Sequence, residues 1–264
     1  DFNDEAVMEG QDLPQKDSAR SINHPKFRNI GFRTAEDELK KSQIGSYLFR
    51  PSSKGTDHLT CTWKFFDKVY SHLDIIEHDK PKENLLGKRF TIKGEPYESL
   101  DEIVDKYVKP CAKLIKESSN HIKFKTFAIS QLQTNILNEK RNMSGSVPYY
   151  FTVTSKFPQY ILLEYVPDNE LITEYIKVKP KGLFFHEAYF RSLNELTSWF
   201  KQHHNDRNYK SQLSRAQAPF IDKRSHKIIP PTPQIHHEPT PARPNETPYD
   251  STPRIGVEEW AAGG

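Results

Sequence analysis

An arginine closes the stretch Gly45-Ser46-Tyr47-Leu48-Phe49-Arg50, and Pro51-Ser52-Ser53-Lys54 follows at once. The residues before it are mostly apolar. A lone buried charge is costly, so the guanidinium must reach solvent or a counter-charge. Two hydroxyls and an ammonium in the next turn make an anion the natural partner. A guanidinium beneath a ring of hydroxyl and amide donors suits a phosphate dianion, with two oxygens gripped together. His72, two strands later in an antiparallel reading, is placed to face the same cavity. Taken singly, Arg50 reads as a snorkelling arginine at a sheet edge, His72 as a satisfied strand histidine and the serines as turn residues. Their grouping favours the anion site.

Other chemistries find no support. The chain has no Gly-rich phosphate loop opening a helix, no Gly-x-Ser-x-Gly elbow and no His-Glu-x-x-His. His203-His204 and His236-His237 are adjacent pairs, which point opposite ways on a strand and chelate poorly. Cys61 and Cys111 match neither a disulfide framework nor a metal site and read as reduced, partly buried thiols. The expectation is a binding module, not an enzyme, with no cofactor, metal or small-molecule substrate.

The elements around Arg50 follow from pattern. Thr34-Ala35-Glu36-Asp37-Glu38-Leu39-Lys40-Lys41 reads as a short helix with Thr34 as N-cap, acids early and lysines late. Tyr47 to Arg50, Leu59 to Phe65 and Val69 to Ile76 read as strands, the second alternating as if half-buried. Arg89 to Ile92 suggests a fourth. Ser99-Leu100-Asp101-Glu102 is a capping box before a helix that Pro110 is expected to end. The order then recurs: a helix over 126–140, strands at 149–154, 160–165 and 173–178, a short one at Phe184-Phe185, and a capped helix from Ser192 to Phe200. Trp63 and Trp199 are expected in the cores.

Hydrophobic residues are 35% of the 264, and eight of the 19 prolines fall between Pro230 and Pro253. That density of proline forbids helix and sheet. The expected layout is a disordered leader over 1–21, folded units over 22–118 and 126–208, and a disordered Pro/Thr-rich tail over 222–264. A net charge of +3 is too weak to argue for nucleic acid alone. No apolar run approaches membrane-spanning length, and Asp1 with an acidic start reads as a piece of a longer chain.

The helix and strand from Thr34 to Arg50, the Ser52-Ser53 loop, Tyr70-Ser71-His72 and the helix after Ser99 together resemble a Src-homology-2 domain. That resemblance implies an α+β fold, a central antiparallel sheet flanked by two helices. It implies that Arg50 holds the phosphate, that Ser52 and Ser53 add donors, and that His72 lines the pocket. Arg33 stands near the place of the family's basic residue on the first helix, one residue out of register. Phe27 stands where signalling members usually carry tryptophan.

With a divergent second copy, residues 22 to about 208 resemble the tandem Src-homology-2 region of the transcription elongation factor and histone chaperone family called suppressor of Ty six. The resemblance implies a nuclear protein whose partner is the phosphorylated largest subunit of RNA polymerase II, in the linker before its C-terminal repeats. Histones or nucleosomes are implied as partners of the longer parent. Two copies joined by a stretch poor in glycine and proline are expected to pack as one unit. In the second copy Pro148 to Lys156 aligns with the arginine strand, so Thr152 replaces Arg50 and the pocket loses its anchor. Lys156, Lys177 and Lys179 are the candidates for another phosphate surface there. The alternative function is a basic nucleic-acid- or histone-binding module, indifferent to phosphorylation. Steep salt dependence would mark it.

Overall fold

The computed structural model describes residues 19–143, 145–168, 170–206, 220–222 and 227–229. Within them lie two five-stranded antiparallel sheets, each a simple meander of neighbouring strands. The first comprises β1 (Tyr47–Pro51), β2 (His58–Phe66), β3 (Val69–His78), β4 (Arg89–Ile92) and β5 (Glu95–Tyr97). Helix α1 (Phe32–Leu39) precedes it. Helix α2 (Leu100–Ile103), a π-turn over Val104–Val108 and α3 (Lys109–Ser119) follow it. The second has α4 (Ile129–Asn142), β6 (Tyr149–Thr152), β7 (Tyr160–Tyr165), β8 (Ile172–Lys179), β9 (Gly182–Phe185), β10 (Ala188–Phe190) and α5 (Leu193–His203). A small hairpin, β11 (Phe220–Asp222) with β12 (Lys227–Ile229), takes in the first residues read as tail. The rest of the tail, and residues 1–18 of the expected leader, lie outside the described residues.

The two repeats are built on the same local devices. Ser99 caps α2 by accepting from the Glu102 amide at 3.0 Å, and Ser192 caps α5 by accepting from Glu195 at 3.2 Å. Phe27 bridges to Phe49 of β1, and Phe124 bridges to Phe151 of β6 in the same parallel sense. In each case a histidine three residues earlier turns back, its ring accepting a 3.1 Å bond from the lysine amide between them. His24-Pro25-Lys26-Phe27 and His121-Ile122-Lys123-Phe124 are therefore one motif used twice. In the second repeat this motif ties the chain to its sheet ahead of the helix.

Four expectations change on folding. Helix α1 starts at Phe32 with Gly31 as N-cap, so Thr34 is inside it and Lys40 and Lys41 fall at and beyond its end. Pro110 does not end the second helix. A proline inside a helix lacks a donor and crowds the carbonyl four residues back, and the π-turn just before it widens the winding there. Strand β2 is buried on both faces, not one, because α1 covers one side and the main core the other. Arg20, within the expected leader, belongs to the fold. Its guanidinium is buried against Glu77, with Nη2 2.9 Å from Oε2, and also donates to the Leu85 carbonyl.

One apolar core runs through both repeats, from Phe49, Trp63 and Ile75 through Ile103 and Ile115 to Phe151, Leu163 and Phe200. Helix α3 packs against β8 and β9 of the second sheet. Gln159 Nε2 donates to Ser71 Oγ at 2.6 Å across the junction. Cys61 and Cys111 are free and buried in this core. Burial raises both thiols, Cys111 to about 12, so neither is a nucleophile at neutral pH. Trp63 is fully buried, and Trp199 packs on the core from α5. Among the described residues no helix is long and apolar enough to cross a membrane.

Candidate phosphate-binding site

Alternation along the strands decides which side chains meet. Leu48 and Arg50 of β1 point to the face that α1 covers, while Tyr47 and Phe49 point to the main core. The register pairs Leu48 with Thr62 and Thr62 with His72, and Arg50 with Thr60 and Thr60 with Asp74. Arg50, Thr60, Thr62, His72 and Asp74 therefore share the α1 face.

There they form a directed chain. Arg50 Nε donates to Thr62 Oγ1 at 3.0 Å, and its Nη1 donates to the Pro51 carbonyl at 3.1 Å. With Thr62 Oγ1 accepting from arginine, its own proton serves His72 Nδ1, 3.0 Å away. His72 Nε2 then donates to Glu36 Oε1 of α1, also at 3.0 Å. Phe32 meets the edge of the His72 ring at a centroid distance of 6.2 Å. The guanidinium is thus aimed by a threonine that is itself aimed by histidine. A fixed planar fork loses less freedom when it grips an anion than a mobile one.

The loop after β1 completes a cup. Ser52 Oγ accepts from the Lys54 amide at 3.3 Å, which tightens the turn. Lys54 Nζ is ion-paired with Asp74 Oδ2, and His58 Nδ1 lies 3.0 Å from the other oxygen of that carboxylate. Ser53 is exposed in the same turn. Arg33 stands one turn ahead of Glu36, its guanidinium 5.6 Å from the Phe32 ring. The structure gathers Arg50, Ser52, Lys54 and His72 around one face. Arg33 lies over the Phe32 ring. Thr62, Glu36, Asp74 and His58 are additions that sequence reading missed. Only the two-residue alternation of β2 and β3 hinted at them, and it needed the register.

In the second repeat the same register assigns the counterparts. Phe49–Cys61–Leu73 corresponds to Phe151–Leu163–Glu174. Thr152 therefore stands for Arg50, Glu164 for Thr62 and Thr173 for His72. Thr152 is buried, and its hydroxyl has no hydrogen-bond partner among the described residues. Thr173 Oγ1 donates to Glu164 at 2.9 Å, and Gln133 of α4 donates to it as well. Burial pushes the Glu164 carboxyl up, against the pull of those two bonds. A buried acid at the floor opposes a phosphate dianion by like charge. Phe157, Tyr160 and Leu162 fill the space beside it, with Tyr175 against Phe157 at 4.9 Å.

The lysines proposed from sequence line this aromatic row. Lys156 Nζ lies 5.5 Å from the Phe157 ring and Lys177 Nζ 5.6 Å from Tyr160. Lys179 Nζ lies 3.9 Å from Phe184 and donates to Tyr189 Oη at 3.2 Å. Burial, then the ammonium groups of Lys93 and Lys179, pushes Lys177 down to about 8. Lys93 comes from the β4–β5 turn of the first repeat, so this positive surface spans both.

Comparison with known proteins agrees with the fold. The family model described as SH2 domain matches residues 1–203. An SPT6-like transcription elongation factor of Arabidopsis thaliana is 34% identical over 205 residues, 75% of this chain and 16% of its own length. SPT6 of Drosophila melanogaster is 29% identical over 259 residues, 93% of this chain and 14% of its own. The chain thus spans about a seventh of the curated relatives it matches. A solved tandem SH2 domain of Spt6, described as binding the phosphorylated C-terminal repeat domain of RNA polymerase II, aligns with TM-score 0.66 at 28% identity. That alignment covers 72% of this chain and 98% of the solved one. The tandem SH2 structure from Antonospora locustae Spt6 shares the fold, with TM-score 0.58 at 23% identity over 68% of this chain and 93% of its own. With the same local devices built into two successive five-stranded sheets, the chain belongs to the SH2 domain family, in the tandem arrangement of the Spt6 transcription elongation factors.

Proposed function

We propose that the first repeat reads a phosphorylated side chain, with Arg50 as anchor and Ser52, Ser53, Lys54, His72 and Arg33 around it. The observation that carries this reading is the chain Arg50–Thr62–His72–Glu36, which aims a guanidinium into a hydroxyl-bearing loop. The ligand is the phosphorylated largest subunit of RNA polymerase II, in the linker before its C-terminal repeats. The solved relative's described ligand, the phosphorylated repeat domain of the same enzyme, supports this choice. The module recruits a transcription elongation factor to polymerase and acts in the nucleus. In the second repeat, where Glu164 opposes phosphate in the equivalent pocket, Lys156, Lys177 and Lys179 take a second phosphate. Two sites on one body reward a doubly phosphorylated ligand, by roughly 100- to 10,000-fold where both can be engaged.

Fluorescence-anisotropy titration of linker peptides, phosphorylated and not, tests the reading against wild type and Arg50→Ala. Binding should require phosphate and weaken by about 2 to 5 kcal/mol in the variant. Equal binding with and without phosphate, falling steeply with salt, would sink it and favour the charge-driven alternative.

A further inference from the structure

A second basic recess lies at the other end of β1, away from Arg50. It is a groove of about 680 Å³ between the loop joining α1 to β1 and helix α3. That volume falls within the range of roughly 300 to 1,000 Å³ typical of ligand pockets. Tyr47, at the start of β1, lines it on the core side of the sheet, while Arg50 points to the α1 face. The groove is therefore separate from the phosphate cup.

Its walls carry Lys26 on one side and Lys109, Lys113 and Lys116 on the other. The last three fall at helical spacing, on the face of α3 opposite the buried Cys111, Ile115 and Ser118. Against four ammonium groups the lining offers one carboxylate, Glu117, already 3.8 Å from Lys113. Lys109 is held by Asp105. Lys26 and Lys116 make no ion pair among the described residues, and both are exposed. Ile44 and Ala112 give the floor an apolar patch. The loop is pressed close there, since a Cβ on Gly45, at φ +89, would lie 2.8 Å from the Ala112 Cβ. Tyr47, the aromatic ring of the lining, packs against Phe49 with ring centroids 5.7 Å apart.

We propose that this groove is a second docking site, for an extended acidic peptide segment of a partner protein that places one apolar side chain on Ile44 and Ala112 and its carboxylates among Lys26, Lys109, Lys113 and Lys116. The charge balance selects an anion. The aliphatic floor of Ile44 and Ala112 suits the apolar side chain of a peptide. Phosphate plays no part, so the site works independently of Arg50.

The test uses the full chain and a labelled probe peptide of aspartates and glutamates around a central leucine. Saturable binding is expected, weakened at least about tenfold by Lys26→Glu with Lys116→Glu, which reverse one exposed lysine on each wall. Lys82→Glu with Lys88→Glu, off the groove, should leave it unchanged, as should Arg50→Ala. Phosphopeptide binding retained by the Lys26/Lys116 variant shows that the fold is intact and keeps this test apart from that of the cup. Equal binding of a probe with asparagine and glutamine in place of the acids would overturn the proposal. So would binding indifferent to Lys26 and Lys116, or tighter groove-dependent binding of a single-stranded oligonucleotide. Probe binding seen only once residues 1–18, with six acids and one lysine, are removed would also overturn it and assign the groove to this chain's own start.

Discussion

Arg50 sits in an incompletely buried position at the end of β1, where its guanidinium donates to Thr62 and to the Pro51 carbonyl. Lys54 is different. Its ammonium is already neutralised by Asp74, which also holds His58, so an incoming phosphate must compete with a carboxylate for that lysine. Both members of the pair are about a third exposed, 35% and 33%, and such pairs contribute only about 0 to 1 kcal/mol. Asp74→Asn should therefore tighten phosphopeptide binding, by up to roughly fivefold, read by the same anisotropy titration. Weaker binding would mean that Asp74 positions Lys54 for the ligand and does not compete with it.

At the scale of the element, β1 and β6 are the same strand with opposite chemistry. Both are pinned by a His-x-Lys-Phe motif, and both send one residue under the helix that precedes them. What separates them is the neighbouring strand, where Thr62 in β2 becomes the buried Glu164 in β7. An arginine placed at Thr152 would meet that acid first. Thr152→Arg in an Arg50→Ala background should therefore fail to restore phosphopeptide binding. Adding Glu164→Thr should be needed before any binding returns. Recovery with Thr152→Arg alone would show that Glu164 does not oppose the phosphate.

For the whole molecule, the shared core predicts one unfolding event. Helix α3 belongs by sequence to the first repeat, yet it packs on β8 and β9 of the second. Ile115 of α3 is fully buried in the core that runs through both. Ile115→Ala should cost about 2 to 5 kcal/mol. The loss should appear together at Trp63 and Trp199, which report the first and second repeats in variants where the other two tryptophans are replaced by phenylalanine. Coincident denaturation curves are the expected result. Two separated transitions would show that the repeats unfold as independent domains.

Much of this architecture can be read along the chain because it depends on near neighbours. Period-two runs marked the β-strands around Arg50, the Ser-Leu-x-Glu boxes marked two helix starts, and the arginine before a hydroxyl-rich turn marked the cup. The repeated His-x-Lys-Phe is equally local, and it pins β1 and β6 in the same way. Three things depended on distant partners. Pro110 is accommodated by the π-turn before it, and β2 is buried on both faces only once α1 and the core close over it. Likewise Thr62, Glu36 and Asp74 enter the site only through strand register and the docking of α1, which bring together residues far apart in sequence. A sequence states which groups are available and their local geometry. Which charge meets which, and which pocket remains open to an anion, is decided by the packing of sheets and helices, since electrostatic and hydrogen-bond energies turn on ångström distances that only the folded chain sets.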